Sequence, residues 1–305
     1  MPSLYLPIAE MPVDVTVVLL VSGLVGFVSG LVGVGGGFIM TPSLIFLGVP
    51  APVAVATGAS QIAATSFSGI MSQSRRNSVD WRMGVLLSIG GVLGSVFGVS
   101  LFHRLLALGQ LDLIIQLLYV VFLALVGALM LAESIAVLRG RSGRSANVLS
   151  RPARTLAHRL PLRLRFPRSG LYISLIPPLF LGFAVGVLAA IMGVGGAFIL
   201  VPAMIYLLRM PTNVVVGTSM FQILVVMALV VILQSTATHK VDLVLSALLM
   251  LGGVVGAQFG SRVGARMRSE QIRASLGLIL LGASAFFLFG LVWEPRELFT
   301  LTDGP

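Results

Sequence analysis

The stretch from Gly30 to Pro42 reads GLVGVGGGFIMTP. Four of the five residues from Gly33 to Gly37 are glycine, inside one of the most apolar regions of the chain. Glycine disfavours helix interiors, and a backbone crossing a bilayer must satisfy its hydrogen bonds internally. The stretch therefore interrupts a membrane segment where continuity would be expected. The interruption recurs, because Met192 to Pro202 reads MGVGGAFILVP.

The surrounding composition is that of a membrane protein. The chain has 305 residues, 57% hydrophobic and 10% charged, with a mean hydropathy of +1.06. A soluble domain is nearer half apolar and about a quarter charged. Long apolar runs recur along almost the whole length, and the alternating pattern of a membrane β-barrel is absent. With no cysteine in the sequence, disulfides, thiolate metal sites and cysteine nucleophiles are excluded. The opening MPSLYLPIAEMPVD carries no Lys or Arg, so the first apolar segment is expected to be a retained span and not a cleaved signal.

The net charge is +10, and nine arginines fall between Arg139 and Arg168, separating two hydrophobic halves. This fits a cytoplasmic loop near anionic lipid headgroups. Nucleic-acid binding would want aromatic stacking residues, and the loop offers only Phe166. No nucleic-acid partner is expected.

Apolar segments lie at about 13–32, 37–49, 53–72, 84–102 and 111–138, then at about 171–191, 197–208, 213–234, 243–261 and 274–293. The second segment of each half is too short to cross roughly 30 Å of hydrocarbon. It reads as one arm of a broken or re-entrant hairpin that bends at the glycines. The halves also align. GVGGGFIMTP from Gly33 matches GVGGAFILVP from Gly193, VAVATGASQ from Val53 matches VVVGTSMFQ from Val214, and GGVLGSVFG from Gly90 matches GGVVGAQFG from Gly252. The organisation expected is a first repeat at 1–138, an Arg-rich linker at 139–170 and a second repeat at 171–305.

Arg75, Arg76 and Arg82, the linker, and Arg266 with Arg268 are placed inside by their charge, and both termini outside. A broken pair returns to its starting side, so each half crosses an odd number of times and the second half is inverted. The fold class is all-α: a polytopic integral membrane protein of two inverted-topology repeats with glycine-broken or re-entrant helices. That is the plan of many secondary transporters.

Irregular backbone inside a membrane lines a cavity or is buried by protein. Backbone N–H groups at the start of a half-helix favour anions. In both copies the glycines precede such a half-helix, so Gly36, Gly37 and Phe38, with Gly196, Ala197 and Phe198, are candidate donors, and inversion would set the breaks face to face. Close packing by small residues is the alternative. No Walker or dinucleotide loop is present. The third segment of each half adds polar residues at helical spacing. Thr57, Gln61, Thr65, Ser68 and Ser72 share a face, and Thr218, Ser219, Gln222 and, further on, Gln234 form the second set. They are candidate neutral donors for a small anion, or else interhelical hydrogen bonds worth about 0.6–2 kcal/mol each. Glu133 reads as an interfacial carboxylate, with proton coupling as the other reading. No metal, cofactor or catalytic constellation is expected.

The duplicated glycine motifs, each followed by Thr-x-x-x-Gln, resemble the TauE/SafE family of sulfite exporters over about residues 15–293. The resemblance implies a bacterial inner-membrane transporter tied to sulfite or organosulfonates. Carried over by position, its motif residues are Gly33, Gly35, Gly36, Gly37 and Pro42, then Gly193, Gly195, Gly196 and Pro202, with Thr57, Gln61, Thr218 and Gln222. Ala197 stands where the first copy has Gly37, so the half-sites are expected to be unequal. The expected function is export of a small sulfur oxyanion by alternating access. Coupled uptake of an organic anion, a passive anion channel and a membrane scaffold or sensor are the rivals. Oligomeric state and exact substrate do not follow from the sequence.

Overall fold

The computed structural model of the chain describes residues 3–32, 37–75, 78–108, 111–138, 163–166, 168–264, 277–278 and 280–289. The first half opens with an antiparallel hairpin of β1 (Ser3–Leu6) and β2 (Met11–Asp14). It continues with α1 (Val15–Val32), α2 (Gly37–Phe46), α3 (Ala51–Arg75), α4 (Trp81–Ala107) and α5 (Leu111–Leu138). The second half repeats the order: a hairpin of β3 (Arg163–Phe166) and β4 (Leu171–Ser174), then α6 (Ile176–Met192), α7 (Ala197–Tyr206), α8 (Thr212–Ala237), α9 (Leu243–Gly264) and α10 (Leu280–Phe289).

The all-α expectation holds apart from the two hairpins. They also correct one boundary. Residues 163–166 were expected in a loop and 171–174 in a membrane segment, yet they pair as strands. Arg-Leu-Arg-Phe alternates with the period of a strand, and Gly170 turns the chain at a φ of +64°. Glu10 makes the matching turn in the first hairpin at +54°. Residues 139–162 of the expected linker lie outside the described residues.

Among the described residues, three helices are each long and apolar enough to cross a membrane, at Trp81–Ala107, Val214–Ala237 and Leu243–Val263. Shorter apolar helices occur at Val15–Leu31, Leu113–Leu129 and Ile176–Met192. With 25 residues α3 is as long, but its apolar surface is diluted by buried Thr57, Ser60, Gln61 and Thr65. Leu24, Leu93, Phe97, Phe180 and Leu251 are exposed on the outer helix faces, an arrangement suited to hydrocarbon.

The halves interlock through glycine. α1 packs along α9, and α4 along α6. A Cβ at Gly26 would strike the Gly253 carbonyl, and one at Gly186 the Gly91 carbonyl. Backbones approach this closely only where side chains are missing. α3 and α8 lie side by side between these pairs.

Their directions establish the inversion. The Asp242 N–H, just after α8, donates to Thr57 near the start of α3, whereas the Asp80 N–H, just after α3, donates to Thr218 near the start of α8. Equivalent helices therefore run antiparallel. The short helices behave alike. Met40 and Leu44 of α2 and Val49 beyond it pack with Leu6, Ala9 and Val13 of the first hairpin region. Leu200 and Met204 of α7, with Leu208 and Met210, pack in one cluster with Phe166 of the second. Each broken pair thus returns to its own hairpin.

Candidate functional site

The second glycine break is built from left-handed backbone. Gly193 caps α6 at a φ of +67° and donates its N–H to the Ala189 carbonyl at 2.9 Å. Gly195 and Gly196 follow at +75° and +67°, and Gly196 is the N-cap of α7. Residues with a Cβ avoid this region, which is why glycine recurs here. The N–H groups of Ile199 and Leu200 return to the Gly196 carbonyl at 3.1 and 2.8 Å. Earlier N–H groups of a helix have no acceptor within it.

In the first break, Gly33, Gly35 and Gly36 lie outside the described residues, and Phe38 falls in the first turn of α2. Ala197 and Phe198 hold the matching places in α7. The first residue of α2 lies against the second break. A Cβ at Gly37 would stand 2.5 Å from the Val194 carbonyl oxygen and would strike Ile62. That close approach is what the first copy's extra glycine permits. Ile62 of α3 and Ile223 of α8 both flank Gly195. The carbonyls that end α6 are also held from the other half. The Tyr119 hydroxyl donates to Met192 at 2.6 Å, and the Thr41 hydroxyl donates to Gly193 at 3.5 Å. Valine, at position 201, occupies the Thr41 place in the second copy, so the halves differ here.

Gln61 and Gln222 stand beside these isoleucines in sequence and are 2% and 0% exposed. Gln61 Oε1 and both polar side-chain atoms of Gln222 are buried with no hydrogen-bond partner. Each glutamine lies over a glycine. A Cβ at Gly253 of α9 would strike the Gln61 amide, and one at Gly91 of α4 would stand 2.8 Å from Gln222 Nε2. Gly91 and Gly253 are equivalent residues of the aligned GGV blocks. The hydroxyls of Ser66 and Ser88 are likewise buried and unpartnered. Ser88 lies on α4 between Gly84 and Gly91, whose faces meet Phe221 and Gln222.

The other expected donors are engaged elsewhere. Thr57 and Thr218 accept the Asp242 and Asp80 N–H groups, both at 3.0 Å, and Thr218 also donates to the Val214 carbonyl at 2.8 Å. Ser219 donates to the Val216 carbonyl of its own helix at 2.9 Å. The glutamines therefore separate from the threonines that precede them by one turn.

A duplicated break flanked by buried, repeat-related glutamines is matched by one family model, described as "Sulfite exporter TauE/SafE", over residues 18–287. The chain belongs to the TauE/SafE family. It is similar to a "Probable membrane transporter protein" of Xylella fastidiosa (strain 9a5c), 28% identical over 88% of this chain and 92% of the relative. It is similar also to the "Probable membrane transporter protein YunE" of Bacillus subtilis (strain 168), 28% identical over 87% of this chain and 92% of the relative. YjnA of the same organism, named likewise, is 24% identical over 87% and 96%. No solved structure matches. The protein is a multi-pass membrane transporter, and the family and relatives' names point to transport and not to catalysis.

The sequence places Asp242 at a segment start, but the capping roles of Asp80 and Asp242 and the bond made by Tyr119 in this TauE/SafE protein come only from the structure. Asp80 caps α4 by accepting the Met83 N–H at 3.2 Å, and it accepts both the N–H and the hydroxyl of Ser169 in the second hairpin. Asp242 mirrors it, accepting the N–H groups of Ile8, Val244 and Leu245 at 3.0–3.1 Å. A signal was present, since Val79-Asp80-Trp81 and Val241-Asp242-Leu243 align with the GGV blocks. Tyr119 had none, because its partner is a backbone carbonyl in the other half. Among the described residues no cluster of three metal-ligating side chains occurs. The side chain of Glu133 lies outside them.

Proposed function

We propose that this protein exports a small sulfur oxyanion, sulfite or an organosulfonate, across the bacterial inner membrane by alternating access. Both termini lie outside and the 139–170 segment inside, and the two repeats rock against each other about the α3–α8 contact. The observation that carries this reading is the pair of buried glutamines with unpartnered atoms, Oε1 of Gln61 and both Oε1 and Nε2 of Gln222. A buried polar group without a partner is destabilising by about 1–3 kcal/mol, and a ligand that supplies the partner explains its presence. Backbone N–H groups of the glycine breaks, from Gly33, Gly35, Gly36, Gly37 and Phe38 in one half and Gly195, Gly196, Ala197 and Phe198 in the other, add donors, while Gly193, whose own N–H closes α6, sets the bend. Thr57 and Thr218 hold the ends of α3 and α8 together through Asp242 and Asp80, and Ser219 bonds its own helix.

Direction follows from charge. A negative interior drives an anion outward by about 2.3 kcal/mol per charge per 100 mV, so export needs no coupling carboxylate. The buried carboxylates among the described residues, Asp80 and Asp242, are occupied as helix caps. This favours export over cation-coupled uptake.

The test is efflux from sulfite-loaded proteoliposomes at clamped potential, with exchange against methanesulfonate and taurine. Saturable efflux that is lost in the Gln61→Ala/Gln222→Ala double variant supports the reading. Unchanged kinetics in that variant, or no movement of any of these anions, removes it.

A further inference from the structure

The two glutamine half-sites carry charge information as well as donors. We infer that they select singly charged oxyanions, taking sulfite as its protonated form, hydrogen sulfite, and rejecting dianions such as sulfate. This deepens the proposed export reading and rests on the same two side chains.

Among the described residues the buried, unpartnered side-chain atoms are neutral: Oε1 of Gln61, Oε1 and Nε2 of Gln222, and the hydroxyls of Ser66 and Ser88. Among the described residues, the charged or titratable groups on the helices packed around α3 and α8 are placed or occupied elsewhere. Arg82, His103 and Arg104 of α4 and Arg262 of α9 are exposed. Asp80 and Asp242 cap helices at opposite ends of the bundle. The Tyr119 hydroxyl of α5 is committed to the Met192 carbonyl. The solvation lost on burying an ion grows with the square of its charge, so a dianion loses about four times what a monoanion loses. Neutral donors recover part of this for one charge. Nothing among these groups compensates a second.

The open atoms match a protonated ligand in detail. Gln61 presents a free carbonyl oxygen, which accepts hydrogen bonds and cannot receive one from a fully deprotonated oxyanion. Gln222 leaves both its oxygen and its amide nitrogen without a partner. One amide edge thus offers an acceptor beside a donor. The complementary edge of a ligand is a hydroxyl beside an anionic oxygen, which hydrogen sulfite has and the doubly charged ion lacks.

The experiment is calorimetric titration of the purified full chain in detergent with sulfite, across the pH range of sulfite's second ionisation, and with sulfate. If only the monoanion binds, the Kd for total sulfite rises about tenfold per pH unit above that ionisation, and sulfate neither binds nor competes. Gln222→Leu weakens binding at low pH by at least tenfold. A Kd for total sulfite that stays flat or falls with rising pH, sulfate binding as tight as sulfite, or no sulfite binding at any pH overturns the inference. Monoanion binding without any flux in vesicles would remove the export reading and leave this one. Flux that favours dianions would do the reverse.

Discussion

The backbone N–H of Asp80 donates to the hydroxyl of Thr218 at 3.0 Å. The same bond joins Asp242 to Thr57, with the halves exchanged. Each aspartate also holds the hairpin of the half it does not belong to: Asp80 through Ser169, and Asp242 through Ile8. The inverted repeats are therefore pinned to each other at both ends of the central α3–α8 pair, by polar contacts that flank the broken helices.

Removing one pin exposes its cost. Asp80→Ala leaves the N–H groups of Met83 and Ser169 without their acceptor in a buried place. The expected loss is on the order of 2–3 kcal/mol, with Asp242→Ala similar. The two sites are at opposite ends, so the losses add. Melting in detergent checks this, and a variant that melts like the parent would contradict it.

Glycine substitutions divide by what a methyl group would meet. Gly26→Ala and Gly186→Ala drive a Cβ into a facing carbonyl and are expected to cost about 1–3 kcal/mol or to block folding. Gly282→Ala meets nothing within 4 Å and is expected to be neutral or slightly stabilising. Yield of monodisperse protein and melting temperature measure the contrast.

The glutamines invert the usual order of stability and activity. Gln61→Leu and Gln222→Leu replace buried, unsatisfied polar atoms by apolar ones of similar size. Melting temperature is expected to hold or rise, while transport falls at least tenfold. A parallel loss of both would mean that the amides are structural.

Tyr119→Phe keeps the ring stacked on Phe287, 5.6 Å between centroids, and removes only the hydroxyl bonded to Met192. About 1 kcal/mol of stability is expected to go. Thr41→Val acts on the neighbouring carbonyl, so the double variant should depart from the sum of the singles.

The chain has no cysteine, so single cysteines report topology cleanly. Labelling of Ser3→Cys and Thr302→Cys by an impermeant maleimide in intact cells, and of Ser145→Cys only after permeabilisation, is expected. Reaction of Ser145→Cys in sealed cells would reverse the orientation.

Much of this was legible in the residues. The duplicated glycine blocks located both breaks, and the bounds of α1 to α9 agree to within about five residues because hydropathy changes sharply at the ends, while the bounds of the 274–293 segment lie outside the described residues. The hairpins were less legible. Arg163–Phe166 sits in an arginine-rich run, and positive charge near a membrane reads as a loop before its alternation is noticed. The Thr-x-x-x-Gln pairs were visible as a set, but their division of labour was not. Thr57 and Gln61 are a turn apart on one helix, and only their neighbours tell them apart.

By itself the sequence determined the membrane class, the repetition and the inversion. Hydropathy, glycine's backbone freedom and arginine placement act locally and survive in any window of the chain. The tertiary structure alone decided which polar groups are spent on the fold and which stay open. Thr218 meets a residue 138 positions away and Thr57 one 185 away, while Gln61 and Gln222 lie over Gly253 and Gly91 with polar atoms unpaired. Hydrogen-bond satisfaction depends on partners that only the folded chain brings together.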